Sequence, residues 1–302
     1  MQHNPRPAWT WMVLAIGLTA VSFGSIFARL AEGAPPLVIS MARTGIASLL
    51  LLPFAWPELR RAARRLELRQ WLLGWAAGFF LAVHFATWIA SLQYTSVAAS
   101  LAMVCTTPIW VVVFGRVFFR EAANRRQLIG VSLSVAGGFI IGAGDLQVAG
   151  QALFGDLLAL AGGMAMALYL LVGRYLQRHL ATLPYIFTTY SSATVFLVIL
   201  SWLQGDPWSG WPPATTGWLL AMALIPQLLG HSSYNWALRY LGAAAVSVVM
   251  LGEPILSTAL ALLFLSEVPS WPVYPGGFLI LLGIYHTARG TSPRSNSGNA
   301  ES

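Results

Sequence analysis

Apolar residues fall along this chain in ten stretches, set apart by short polar, proline or glycine segments. A helix that crosses a bilayer needs about 20 predominantly apolar residues. On that measure the pattern predicts helices over Trp9–Arg29, Pro36–Ala55, Trp71–Ser91, Thr95–Val117 and Gln127–Ala143 in the first half. In the second half it predicts Phe154–Tyr175, Pro184–Leu203, Thr215–Leu238, Gly242–Leu265 and Pro272–Thr287. Turn residues separate them: Gly33-Ala34-Pro35-Pro36, Pro53 and Pro57, Gly142 to Gly155, and Gly205-Asp206-Pro207 through Pro212-Pro213. Trp56, Trp71, Trp202, Trp208, Trp211, Trp218 and Trp271 mark span ends, where amphipathic rings sit at headgroup level.

The second five stretches repeat the first five. Sliding Leu92–Gly137 by 146 positions without a gap gives 11 identities in 46. They include Pro108/Pro254, Glu121/Glu267, Gly130/Gly276 and Gly137/Gly283, punctuation that chance seldom aligns. The expected organisation is a first repeat over 1–145, a second over 152–288 and a polar, disordered cytoplasmic tail over 289–302.

Composition excludes a soluble fold. Of 302 residues 57% are hydrophobic and 9% charged, against about 25% charged in soluble domains. The formal charge of +7 comes from arginine, for the chain has no lysine. Such a charge can signal nucleic acid, but these arginines sit in short loops between apolar runs, so no nucleic-acid partner is expected. With the N-terminus in the cytoplasm, 15 of the 17 fall on that side, Arg29 outside and Arg43 within a span. The bias places both termini in the cytoplasm. An odd number of helices per repeat then inverts the second copy, so that Glu121 ends its helix inside and Glu267 outside. The expected fold is therefore all-α and integral to a membrane, ten transmembrane helices as two inverted five-helix repeats. The first apolar run is too long for a signal peptide and is read as a retained helix. The single Cys105 lies within an apolar run and permits no internal disulfide.

The run Ala98-Ala99-Ser100 to Pro108, then Phe118-Phe119-Arg120-Glu121, Gly130 and Gly137-Gly138, resembles the EamA repeat of the drug/metabolite transporter superfamily. Its second copy reads Ala243-Ala244-Ala245, Glu253-Pro254-Ile255, Leu265-Ser266-Glu267, Gly276 and Gly283. The resemblance covers about residues 9–288 and also fits the Arg43-bearing second helix. Within the superfamily, length and aromatics look most like the bacterial aromatic amino acid exporters. It implies export from the cytoplasm through the inner membrane, with a central cavity between the halves.

Polar groups inside a span are costly and become functional candidates. Glu253 is the sharpest. It stands beside Pro254, which breaks the helix, whereas the first repeat carries Thr107-Pro108; Pro108 and Pro254 are candidate hinges, and Ser257 lies one turn on from Glu253. The bland alternative is an acid capping a kink. Phe80, His84 and Trp88 share one face at helical spacing and suit an aromatic substrate. Gln227, His231 and Tyr234 form a matching face on the eighth helix; offset by 146, Phe85 maps to His231, next to His84. Histidines there could equally just bond a neighbouring helix. Ser22, Phe23 and Tyr169 complete the candidate lining, although a small polar stripe is more often packing glue. Arg43 could hold a substrate carboxylate, pair with an acid or snorkel outward. Gly74/Gly78 and Gly138/Gly142 have close-packing spacing, and Met103 and Met250 suit core.

The expected function is a secondary transporter exporting small hydrophobic metabolites, aromatic amino acids first, by alternating access. A proton-coupled drug or metabolite carrier is the alternative. An enzyme acting on lipid-linked substrates would need a catalytic constellation that the sequence does not display. Gly142-Ala143-Gly144-Asp145 spells a protease-like motif, but its aspartate falls in an outer loop. No phosphate-binding loop or metal-ligand spacing is present, so no cofactor is expected, nor is a required protein partner.

Overall fold

The computed structural model describes residues 8–95, 97–143, 150–266 and 271–290. Glu267, the Gly144-Asp145 motif and the tail from Thr291 onward lie outside the described residues. Among those described, every regular element is a helix.

The first half contains α1 (Thr10–Ser22), α2 (Gly24–Leu30), α3 (Pro36–Ala63), α4 (Leu68–Ser91), α5 (Val97–Val104), α6 (Thr107–Phe118) and α7 (Arg125–Ala143). The second contains α8 (Gln151–Leu176), α9 (Thr182–Gln204), α10 (Pro213–Met222), a π-helical segment (Ala223–His231), α11 (Ser232–Leu238), α12 (Ala243–Met250), α13 (Glu253–Leu265) and α14 (Val273–Gly290). Seven of these runs are long and apolar enough to cross a membrane: Thr10–Leu30, Pro36–Ala63, Leu68–Ser91, Ala99–Phe118, Gln151–Leu176, Thr182–Gln204 and Ala243–Phe264. Their outward faces carry large apolar side chains such as Leu49, Phe54, Val117, Leu203 and Leu263, which water would not tolerate in such numbers and lipid does.

Proline acts differently at different sites. Pro53 and Pro57, expected to end the second helix, lie inside α3, which runs on to Ala63. They are four apart and both exposed, so the lost backbone bonds fall on one outer stripe and the inner face stays intact. Pro108 and Pro254 do interrupt. Each opens a new half-helix, α6 and α13, after a break at Cys105–Thr106 and at Leu251–Gly252. The two breaks coincide under the 146-residue offset.

The contacts follow the same offset. Helices α7 and α14 cross antiparallel, with Gly130 against Gly283 and Gly137 against Gly276. A Cβ on Gly130 would lie 2.6 Å from the Gly283 carbonyl, and one on Gly283 2.5 Å from that of Gly130. Likewise Gly162 of α8 sits against Thr87 and the His84 carbonyl of α4, while Gly17 of α1 sits against Ser233 and the Gly230 carbonyl. Thr87 and Ser233, and His84 and Gly230, are each 146 apart. The expected close approach at Gly74 and Gly78 is also present, toward Thr188 and Ser192 of α9, and Gly138 lies on Cys105. Without hydrophobic drive in lipid, such glycines let backbones meet and dispersion act.

Candidate functional site

The helix breaks gather around the centre of the molecule. A cavity there is lined by Val21 and Gly24 near the α1/α2 break, Arg43 of α3, His84 and Trp88 of α4, Leu101 and Val104 of α5, His231, Met250 and Glu253. Its lining therefore comes from both halves of the chain. Its volume is ≈ 20 Å³, about the room of one water, so the site is closed in this conformation. A second small cavity, with Cys105, Thr107, Ser247 and Pro254, adjoins it through Leu101, Val104, Met250 and Glu253. A larger one of ≈ 390 Å³ opens at the α2–α3 connection, lined by Arg29, Glu32, Gly33, Ile89 and Gln93 among others.

Arg43 is 1% exposed. Its guanidinium carbon sits over the Phe85 ring, 3.8 Å from the centroid, a position that suits a cation. Its Nε donates to Gln227 Oε1 at 2.9 Å, a link from the first half to the second. Its Nη1 has no partner, nor has Gln227 Nε2. The Tyr190 hydroxyl donates to the Gln227 carbonyl at 3.3 Å and steadies that turn. The π-helical segment, carrying Pro226, turns Gln227 and His231 inward together; π-helical turns recur at functional sites.

His84 and Trp88 stack in parallel, 6.0 Å between centroids and 3° between planes. His84 Nδ1 lies 3.0 Å from the Gly162 carbonyl. A carbonyl only accepts, so Nδ1 carries a proton, and in the neutral tautomer Nε2 is the acceptor. His231 packs edge-on to Phe85 at 5.1 Å and to Tyr234 at 6.0 Å. His231 Nδ1, the Tyr234 hydroxyl and Trp88 Nε1 are buried without partners. Burying a polar group unpaired costs about 1–3 kcal/mol; of these residues His231 and Trp88 line the cavity, whereas Tyr234, like Gln227, does not. Glu253 heads α13 on the same wall, and among the described residues no ion pair joins it to Arg43.

The remaining candidates lie farther out. The Tyr169 hydroxyl donates to Asn235 Oδ1 at 2.7 Å, and Asn235 Nδ2 donates to the His231 carbonyl at 2.9 Å. Tyr169 thus supports the His231 turn without lining the cavity. Ser257 donates to the Ser22 carbonyl at 2.9 Å, tying α13 to α1. Phe23 belongs to an aromatic cluster with Phe27 and Phe264. Phe80 is half-buried against Phe79. Met250, expected in the core, lines the cavity. Asn235, Tyr190 and Gln177, whose Nε2 donates to the Asn235 carbonyl at 2.8 Å, form a supporting network that sequence reasoning missed. Gln177 and Asn235 stand 58 residues apart, and no spacing rule connects them.

An apolar helical bundle enclosing a polar-aromatic cavity shared by its two halves defines a membrane transporter. The chain belongs to the EamA-like transporter family, whose pattern matches it twice, over residues 8–143 and 153–289. It is 26% identical over 281 residues to the uncharacterized transporter YdfC of Bacillus subtilis, covering 91% of this chain and 88% of that one. It is 24% identical over 287 residues to a probable terminal-alkyne amino-acid exporter of Streptantibioticus cattleyicolor, covering 93% and 95%. One solved structure matches with a TM-score of 0.74 at 18% identity, over 92% of this chain and 97% of that one, which shows a shared fold.

Proposed function

We propose that this protein is a secondary transporter that exports small hydrophobic metabolites, aromatic amino acids first, across the bacterial inner membrane by alternating access. The observation that carries it is the closed central cavity, lined from both halves by a Trp88–His84 stack and by unpartnered polar groups. An aromatic side chain slides against Trp88, and His84, Gln227, His231 and Glu253 orient its polar end. The relative named as a probable amino-acid exporter supports the substrate class. Neither of these two relatives is YddG, the aromatic amino acid exporter whose length and aromatics this sequence resembles, so the aromatic preference rests on the cavity.

In this reading, ten helical runs cross the membrane as two inverted repeats of residues 1–145 and 152–288, with both termini in the cytoplasm. The antiparallel α7–α14 crossing with its exchanged glycine partners supports inversion. Pro108 and Pro254 serve as hinges at the matched breaks, and rocking of one half on the other opens the cavity to each side in turn.

The test is counterflow of labelled phenylalanine or tryptophan in proteoliposomes without a pH gradient. Saturable exchange, competed by other aromatic amino acids, is the expected result. Absence of exchange by folded protein, with or without an imposed gradient, would sink the aromatic reading. Exchange that appears only with a gradient favours the proton-coupled alternative, which the cavity-lining Glu253 makes the second reading.

A further inference from the structure

We infer that the central cavity reads both ends of an α-amino acid: Arg43, held by Gln227, takes the carboxylate, and Glu253 takes the ammonium. This rests on the amino-acid reading of the cavity and sharpens it, because each charge of the substrate is given its own partner and Arg43 joins the binding wall.

Arg43 brings donors. Its Nε is committed to Gln227 Oε1, which fixes the guanidinium and leaves Nη1 unpaired beside the cavity. The bond also engages the Gln227 amide, whose Nε2 is left unpaired behind Arg43, Gln227 itself not lining the cavity. A buried donor with nothing to donate to is suited to a planar oxyanion, the group that a fixed guanidinium recognises best. Phe85 lies under the guanidinium carbon at 3.8 Å and takes none of its N–H groups as a hydrogen-bond acceptor atom would. Glu253 brings acceptors. It lines the same cavity and makes no ion pair with Arg43 among the described residues. A basic and an acidic side chain that share a cavity without touching are complementary to a ligand carrying the reverse pair at a short separation. The carboxylate and ammonium of an α-amino acid, one carbon apart, are that pair. His84 is a poor carboxylate partner, because its proton is already engaged with the Gly162 carbonyl.

The assignment is tested by isothermal titration of purified full-length protein with phenylalanine, phenylalanine amide, which lacks the carboxylate, and 3-phenylpropionate, which lacks the ammonium. In the natural protein both analogues should bind at least about tenfold more weakly than phenylalanine, the order expected when one charge-assisted hydrogen bond is removed. Arg43→Gln should lower phenylalanine to the level of its amide, and Glu253→Gln should lower it to that of 3-phenylpropionate. A purely structural role would weaken all three ligands together and keep their ratios, which overturns the assignment. Either analogue matching phenylalanine in the natural protein overturns it too, even if a variant fails to fold. If the natural protein binds none of the three, the amino-acid reading falls with it; if it prefers phenylalanine and the variants keep that preference, only the assignment falls.

Discussion

At the residue scale, three kinds of group share one small space: a cation on an aromatic face, a parallel histidine–tryptophan stack and a carboxyl at a helix break. Each alone has a structural explanation; together they leave Arg43 Nη1, Trp88 Nε1 and His231 Nδ1 unpaired around one cavity, which makes it the candidate site. Trp88 supplies the largest flat apolar surface of the lining. Trp88→Ala should reduce substrate affinity by about 30-fold, the scale of removing an aromatic hot spot, while the protein still elutes as a folded species on gel filtration. His84→Ala should also abolish exchange. Normal transport by both variants would show that the stack does not touch substrate. Trp88, His84 and His231, which line the cavity, stood out from spacing and Glu253 as an acid beside a proline, whereas Gln227 stood out equally but bonds Arg43 without lining the cavity. Arg43 was ambiguous, since a single arginine in a span can pair, bind or snorkel; the Phe85 and Gln227 contacts show that it points inward and does not snorkel. Ser22, Ser257 and Phe23 read the same in sequence as true lining residues, and only the rotation of their helices sends them to neighbouring elements.

At the element scale, glycines and prolines set the geometry. The α7–α14 crossing is close because Gly130, Gly137, Gly276 and Gly283 present bare backbone, and a Cβ at Gly137 would strike the Gly276 carbonyl and the Ile280 side chain. Backbone cannot yield as a flexible side chain can. Gly137→Leu should therefore destabilise by about 1–3 kcal/mol, the usual cost of overpacking, read as a lower melting temperature in detergent; an unchanged temperature would show that this interface is loose. At the breaks, Pro254→Ala restores a backbone donor to α13. If the break serves as a hinge, exchange should slow severalfold while phenylalanine affinity holds; equal loss of both would assign the proline to the binding wall instead. The breaks were legible in the sequence from proline within an apolar run. The same signal misled at Pro53 and Pro57, where α3 continues because both prolines face outward on one stripe.

At the scale of the whole molecule, the halves are held together at more than the centre. Arg178 pairs with Glu121 at 2.7 Å, joining the end of α8 to the segment after α6. Beside it, within the second half, Arg174 Nη1 donates to the Leu238 and Arg239 carbonyls at 2.6 and 3.1 Å. The Arg178–Glu121 pair is largely solvent-exposed and contributes at most about 1 kcal/mol, weak enough to break and re-form during a transport cycle. The ≈ 390 Å³ cavity lies at the α2–α3 connection and shares no lining residue with the central one. Orientation has a direct check. With Cys105 replaced by serine, a cysteine at Arg65 should react with an impermeant maleimide only in inverted vesicles, and one at Gly205 only in intact spheroplasts. The reverse labelling would turn the whole arrangement over.

What the sequence alone determined is what local chemistry dictates: apolar runs of spanning length, arginine in the loops, and a repeat whose prolines and glycines recur at one offset. These follow from the cost of exposing backbone and charge to lipid, which acts on each segment separately. What only the tertiary structure decided is which side chains meet. Arg43 and Gln227 are 184 residues apart, and no periodicity predicts their bond. Their meeting depends on helix rotation and crossing, set by close packing of many small contacts rather than by any one residue. The closed state of the cavity has the same origin, because it is a property of how two halves lean on each other and leaves no mark in either half's pattern.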